Sequence, residues 1–228
     1  MTANSKRLVA GIAMLAIFAA GLIVMFMPIF DGQNFLEYMD SLYNSISKGS
    51  ANYIPALEED VAQHEGSRFE LTLAMKDAEL TLAVASLFEN AGATVETVGT
   101  DVKVGGDLAR TLRSCLTDSR QLFENESSEA EARYGRDGKE ALFAWWSALK
   151  AMDKELKKQS RFAEAALVSE VKKRGVECAY NYYGIVPLKI SDNLGIVVFS
   201  LVFYVLYTVW YGYAIIFVFE GCGLRLSH

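Results

Sequence analysis

The sequence is short of the residues that chemistry usually needs. Histidine occurs twice, as His64 and His228. An imidazole-based metal site or general base therefore has almost nothing to draw on. The three cysteines, Cys115, Cys178 and Cys222, contain no CxxC or CxxCH spacing. Zinc ribbons, thioredoxin-like redox motifs and attached c-type haem are all left without support. No P-loop and no dinucleotide fingerprint is present. Basic residues are fewer than acidic ones, 22 against 28, for a net charge of −6. An acidic chain of this kind argues against nucleic acid, whose affinity comes from cationic contacts to phosphate. It also disfavours lying flat on an anionic lipid surface.

Charge is missing altogether from residues 194–219. At ~1.5 Å rise per residue a helix of that length outspans the ~30 Å hydrocarbon core of a bilayer. Only a helix can cross there, because lipid offers no partner to a free backbone N–H or C=O. A second apolar stretch covers residues 8–30. Lys6 and Arg7 precede it, so the positive-inside rule places the N-terminus in the cytoplasm. Two crossings return the C-terminus to the same side, where Arg225 is the matching positive residue. A cleaved signal peptide, with Ala19-Ala20-Gly21 as its small-residue site, is the competing reading. The apolar run continues through Leu22 to Phe30, beyond where such a segment would stop.

The expected layout has five parts. Residues 1–7 are a short cytoplasmic leader, 8–30 and 194–219 are transmembrane helices, and 220–228 are a cytoplasmic tail. Residues 31–193 form one extracytoplasmic domain, periplasmic in a Gram-negative bacterium. The expected fold class is an α+β membrane protein, with a small β-α-β-β-α sheet unit and a helical hairpin in the outer domain.

Within that domain, Phe35, Met39, Leu42 and Ile46 recur at helical spacing and predict an amphipathic helix ending at Gly49. Ile54-Pro55 opens another, with Glu58, Glu59 and Asp60 near its positive end. A dipole-matched turn accounts for that trio better than a cation site. Phe69, Leu71, Leu73 and Met75 alternate with smaller or polar residues, the period of a half-buried strand. Asp77 predicts a cap for a helix carrying Leu80, Val84, Leu87 and Phe88. Thr94 to Val98 and Val102 to Val104 read as a hairpin turning at Gly99-Thr100-Asp101. Gly105-Gly106-Asp107 precedes a helix bearing Leu108, Leu112, Cys115, Leu116, Leu122 and Phe123. Asp107 occupies the place an anion would take, so a turn and a cap outweigh a phosphate site. Asn125-Glu126-Ser127 matches a glycosylation sequon, relevant only in a eukaryotic secretory pathway. Residues 127–138 read as a polar connection.

Two long helical patterns follow and predict an antiparallel hairpin. The first carries Leu142, Phe143, Trp145, Trp146, Leu149, Met152 and Leu156. Adjacent helical residues point ~100° apart, so Trp145 and Trp146 cannot share one narrow stripe. Cover on two sides accounts for both; an exposed partner anchor is the alternative. Cys115 and Cys178 can pair in an oxidising compartment, although two buried thiols are the plainer expectation.

Several residues are candidate membrane contacts. Tyr180, Tyr182 and Tyr183 before the second span, and Trp210 and Tyr213 within it, are expected interface anchors. Asp192 or Asn193 is placed to cap that span. Ala13, Ala16 and Ala20 share a face of the first span and predict close helix packing. Ser200, Tyr204, Tyr207, Thr208 and Tyr211 form a hydroxyl-bearing face on the second. Hydroxyls facing lipid would lack partners, and the first span offers no side-chain acceptor, so contact with helices of another protein is expected.

The order of span, outer domain and span is similar to the sensory half of bacterial chemoreceptors, an architectural likeness only; the β-α-β-β-α middle departs from an all-helical sensor. The functional expectation is a non-catalytic accessory or assembly subunit of a larger membrane complex. Other membrane proteins and the bilayer are its partners, and no cofactor or metal is expected. An extracytoplasmic ligand-binding sensor signalling through a separate protein is the alternative.

Overall fold

The structure is a computed structural model that describes residues 3–224. Arg225 and His228, used above to argue topology and chemistry, lie outside the described residues. The elements run α1 (Ala3–Phe26), α2 (Phe35–Lys48), α3 (Ile54–Ala62), β1 (Arg68–Ala74), α4 (Ala78–Asn90), β2 (Thr94–Val98), β3 (Asp101–Asp107), α5 (Leu108–Phe123), α6 (Ser128–Tyr134), α7 (Gly138–Lys158), α8 (Phe162–Glu170), α9 (Cys178–Tyr182) and α10 (Leu194–Gly221). A π-helical segment, Val171–Glu177, joins α8 to α9 without a break. The chain is α+β, mostly helical, with one three-stranded antiparallel sheet and two helices long and apolar enough to span a membrane. It divides into two compact units. One holds the residues up to Gly49 and those from Pro187 onward; the other is Ser50–Val186.

In the first unit, α1 and α10 pack as an antiparallel pair. Only 6 % of each candidate span is buried, so large apolar area is left uncovered. Surface of that extent asks for a partner or for lipid. The seam is built on glycine. A Cβ at Gly11 would sit 2.7 Å from the backbone N of Val218, and one at Gly221 would sit 2.5 Å from Leu8 Cα. Ala13, Ala16 and Ala20 are all exposed. The expected alanine stripe therefore lies off the α1–α10 seam, where missing side chains at Gly11 and Gly221 let the backbones meet. α1 ends at Phe26, and the chain reverses through Asp31 and Gly32, both at positive φ. Asn34 and Glu37 form a reciprocal capping box that starts α2. The first turns of α10 meet α2 in place of α1: Phe35 and Phe203 rings lie 5.9 Å apart, edge to face, and Tyr43 Oη lies 2.7 Å from Ser200 Oγ. Neither Asp192 nor Asn193 caps α10 through its side chain; a 3-10 turn, Ile190–Asn193, leads into it.

The second unit is organised by the sheet, in order β1-β3-β2. Phe69, Leu71 and Leu73 of β1 are buried and alternate with exposed neighbours. In register, Leu71 faces Val104 and Leu73 faces Val102, so one face of the sheet is apolar. Gly99, at φ +63°, turns the hairpin. Asp77 accepts from Leu80 N at 2.9 Å and Asp107 from Arg110 N at 2.8 Å, capping α4 and α5 as expected. The free edge of β1 is closed by side chains beyond α7: Gln159 donates to Glu70 O and Arg161 to Arg68 O. α7 buries Leu142, Trp145, Leu149, Met152 and Leu156, and packs against the helix that follows it. The hairpin is present. Its second arm differs from a plain helix by the π-helical segment, where Gly175 lets Leu116 approach: a Cβ there would lie 3.0 Å from Leu116 Cδ2. The stretch read as a polar connection contains α6, whose Ala130 and Tyr134 reach the core.

Candidate functional site

Each expected site residue has a definite place. On α10, Tyr207 donates its hydroxyl to the carbonyl of Phe18 at 2.7 Å and stacks on the Phe18 ring at 4.3 Å. Tyr211 also lies against Phe18, at 4.8 Å. Trp210 Nε1 donates to Met14 O at 3.0 Å. Ser200 meets Tyr43, and Thr208 donates to Tyr204 O within its own helix. The hydrogen-bonding need from which contact with foreign helices was expected is met within the chain at Ser200, Tyr207 and Thr208. The partners are α1, α2 and α10 itself. A helical carbonyl keeps a second lone pair after its i→i+4 bond, and α1 supplies that acceptor although its side chains cannot. Tyr204 is the most exposed of the tyrosines on this face, at 69 %, and Thr208, Tyr211 and Tyr213 are exposed as well.

The three tyrosines read as interface anchors belong to the Ser50–Val186 unit. Tyr182 and Tyr183 pack on its core, Tyr182 edge-on to Phe123 at 6.0 Å, and Tyr183 donates to Ser127 Oγ at 2.9 Å. For these two the anchor expectation gives way to core packing. Cys115 is fully buried on α5, and burial pushes its thiol well up. Cys178 donates to Ala51 O at 3.2 Å, and no disulfide joins the two. Asn125 of the sequon accepts from Gly184 N and donates to Ile185 O. Glu58 of the acidic trio is ion-paired with Arg120. His64 Nδ1 lies 3.2 Å from Asp60 O. Among the described residues no cluster of His, Cys, Asp and Glu is arranged to hold a metal.

Two features were not anticipated. The first is a buried carboxylate. Asp118 on α5 is completely inaccessible and accepts from Tyr134 Oη at 2.6 Å, Trp145 Nε1 at 2.8 Å and Arg133 Nη1 at 2.6 Å. Burial raises its pKa, and the three donors only partly offset that. Beside it, burial and the Asp118 charge push the Tyr134 phenol up as well. Both carboxylate oxygens are engaged, so the cluster ties α5, α6 and α7 together.

The second is a groove on the outside of the helical hairpin, with a volume of about 400 Å³. Its walls are Leu142, Phe143 and Trp146 of α7, and Val176, Glu177, Tyr180 and Asn181 across from them. Phe143 and Trp146 each follow a buried residue by one position, which turns them ~100° off the buried stripe. Phe143 is 50 % exposed and stacks parallel to Trp146 at 6.0 Å. Trp146 Nε1 donates to Glu177 Oε1 at 2.7 Å. The opposite wall leaves the π-helical segment, whose wider turn re-aims the side chains that follow; such segments recur at functional sites. Cations ring the aromatics. Lys150 Nζ lies 4.7 Å and Lys172 Nζ 5.9 Å from the Trp146 ring, and Lys139 Nζ lies 5.5 Å from the Tyr180 ring. Trp146 and Tyr180 were legible as candidates by type; the lysines had no signal, because Lys139 and Lys150 on α7 meet Lys172 only through the packing of the π-helical segment beside it.

A second concavity, about 920 Å³, lies over the open face of the sheet. Arg68, Lys103 and Arg110 approach it among Glu70, Glu96 and Asp107.

The fold and these sites together define an α+β protein with two helices long and apolar enough to cross a membrane and a separate compact unit that carries an aromatic groove. Comparison of the chain with protein families, with curated proteins and with solved structures returns no match.

Proposed function

We propose that this chain is a membrane-anchored interaction protein, a non-catalytic accessory subunit of a larger membrane complex. α1 and α10 cross the bilayer with both chain ends in the cytoplasm, and the Ser50–Val186 unit stands outside and does the binding. The single observation that carries this reading is the Phe143–Trp146–Tyr180 groove. An aromatic cluster left half open on a folded unit, with a Trp at its centre, has the composition of a binding hot spot. Two further features support the anchoring. The antiparallel pairing of α1 and α10 brings Arg7 within 2.8 Å of Glu220, so the outer ends of both helices lie on one side, as two crossings require. The hydrogen bonds of Tyr207 and Trp210 to α1 satisfy those groups within the pair, which leaves the outer unit as the part free to recognise a partner.

The test is site-specific photocrosslinking in native cells. A photoreactive residue at Phe143 is expected to give a discrete adduct with a membrane-complex component, whereas one at Leu82, exposed on α4, is expected to give none. Adducts at Leu82 alone, or at neither position, would remove the groove as a binding surface.

The sensor reading is supported by the concavity over the open sheet face, where Arg68, Lys103 and Arg110 could hold a small anionic ligand. Arg110→Ala would abolish signalling and leave the Phe143 adduct intact if that reading held.

A further inference from the structure

We propose that the groove receives an acidic segment of a partner protein, with an apolar side chain seated against the stacked Phe143 and Trp146 rings and carboxylates set opposite Lys139, Lys150 and Lys172. This rests on the reading above that the outer unit is the binding part, and it names the chemistry of what is bound.

The argument is one of charge and shape together. The groove floor is apolar and aromatic, so the group that enters it is apolar. Glu177, the one carboxylate on the wall, is held by the Trp146 indole. Among the described residues, no carboxylate lies within ion-pairing distance of Lys139, Lys150 or Lys172. Further along α7 the pattern is different: Lys157 pairs with Asp153 and Lys158 with Glu155. The rim lysines are occupied only by ring faces, an attraction that leaves the ammonium free to meet an anion from outside. In a chain with a net charge of −6, an acidic ligand is repelled over most of the surface and favoured where cations are left unpaired. That contrast supplies specificity as well as attraction. A flat anionic bilayer would have to approach the acidic remainder too, and the concave aromatic floor suits an inserted side chain better than a headgroup layer.

The experiment uses the full chain in neutral-lipid nanodiscs and three fluorescent peptides, GEEFLEEG, GQQFLQQG and GKKFLKKG, followed by anisotropy. The acidic peptide is expected to bind about tenfold tighter than the glutamine peptide, ~1.4 kcal/mol, and to weaken as salt is raised. The double variant Lys150→Glu, Lys172→Glu is expected to lose that preference and favour the lysine peptide. Trp146→Ala is expected to weaken all three. Circular dichroism of each variant checks that the unit remains folded. Equal binding of the three peptides, no binding of any, or an acidic preference that survives charge reversal would overturn the proposal. So would Trp146-dependent capture of vesicles containing phosphatidylglycerol without peptide binding, which would assign the groove to lipid. A Phe143 crosslink to a partner combined with no acidic preference would sink this inference and leave the proposed function standing.

Discussion

Trp145 and Trp146 are neighbours in sequence and serve different carboxylates: the indole of Trp145 donates to Asp118 at 2.8 Å, and that of Trp146 to Glu177 at 2.7 Å. The first is wholly buried, with its ring 5.7 Å from Phe88; the second lines an open groove. Stability should separate them. Trp145→Ala removes a core side chain and is expected to cost ~3–5 kcal/mol. Trp146→Ala should cost about 1 kcal/mol or less, since its ring is only partly covered. Denaturant unfolding of the whole chain in detergent measures both, and equal losses would mean the groove residue is structural.

Asp118 gives the unit a pH dependence of definite sign. Burial raises its pKa in the folded state, so the fold holds that proton more readily than the unfolded chain does. Its contribution to stability is present below the usual carboxylate range and is lost as pH rises through the folded value. The unfolding free energy of the wild type minus that of Asp118→Asn should therefore fall as pH rises above the usual carboxylate range. A flat or rising difference would show that Tyr134, Trp145 and Arg133 outweigh burial. Asp118→Ala at neutral pH should cost up to ~3–5 kcal/mol. The lower part of that range is expected, because Arg133 is partly exposed and can regain water.

The α1–α10 seam discriminates glycine from alanine. Gly11→Val would place a side chain where a Cβ alone lies 2.9 Å from Val218 Cγ2, and Gly221→Val would drive into Leu8. Either should lower the melting temperature in detergent and increase proteolysis in the loop after α1. Ala13→Val, Ala16→Val and Ala20→Val change exposed positions and should leave both readouts unchanged. Equal damage from the two sets would return the packing role to the alanine stripe.

Threading is tested at Ser128, which opens α6. With Cys222 replaced, a thiol placed at Ser128 should react with a membrane-impermeant maleimide in intact cells or spheroplasts. Labelling only after lysis would put the Ser50–Val186 unit in the cytoplasm.

The sequence alone determined what depends on short-range order. Two charge-poor runs long enough to cross a bilayer, the alternation that buries Phe69, Leu71 and Leu73, the caps at Asp77 and Asp107, and the turn at Gly99 are all written in neighbouring residues, because backbone geometry repeats locally. What surrounds each helix was decided by tertiary packing. Hydroxyl spacing on α10 showed that Tyr207 and Tyr211 share a face, but not that the Phe18 carbonyl waits there, since a side-chain pattern does not display backbone acceptors. Tyrosines before α10 look alike as anchors or as core until Phe123 and Ser127 are brought beside them. Asp118 reads as an ordinary helix charge until Arg133, Tyr134 and Trp145 converge on it from two other helices. Periodicity fixes which residues a helix presents together; the rotation of that helix against its neighbours, and so what each face meets, is set by the close packing of side chains distant in sequence.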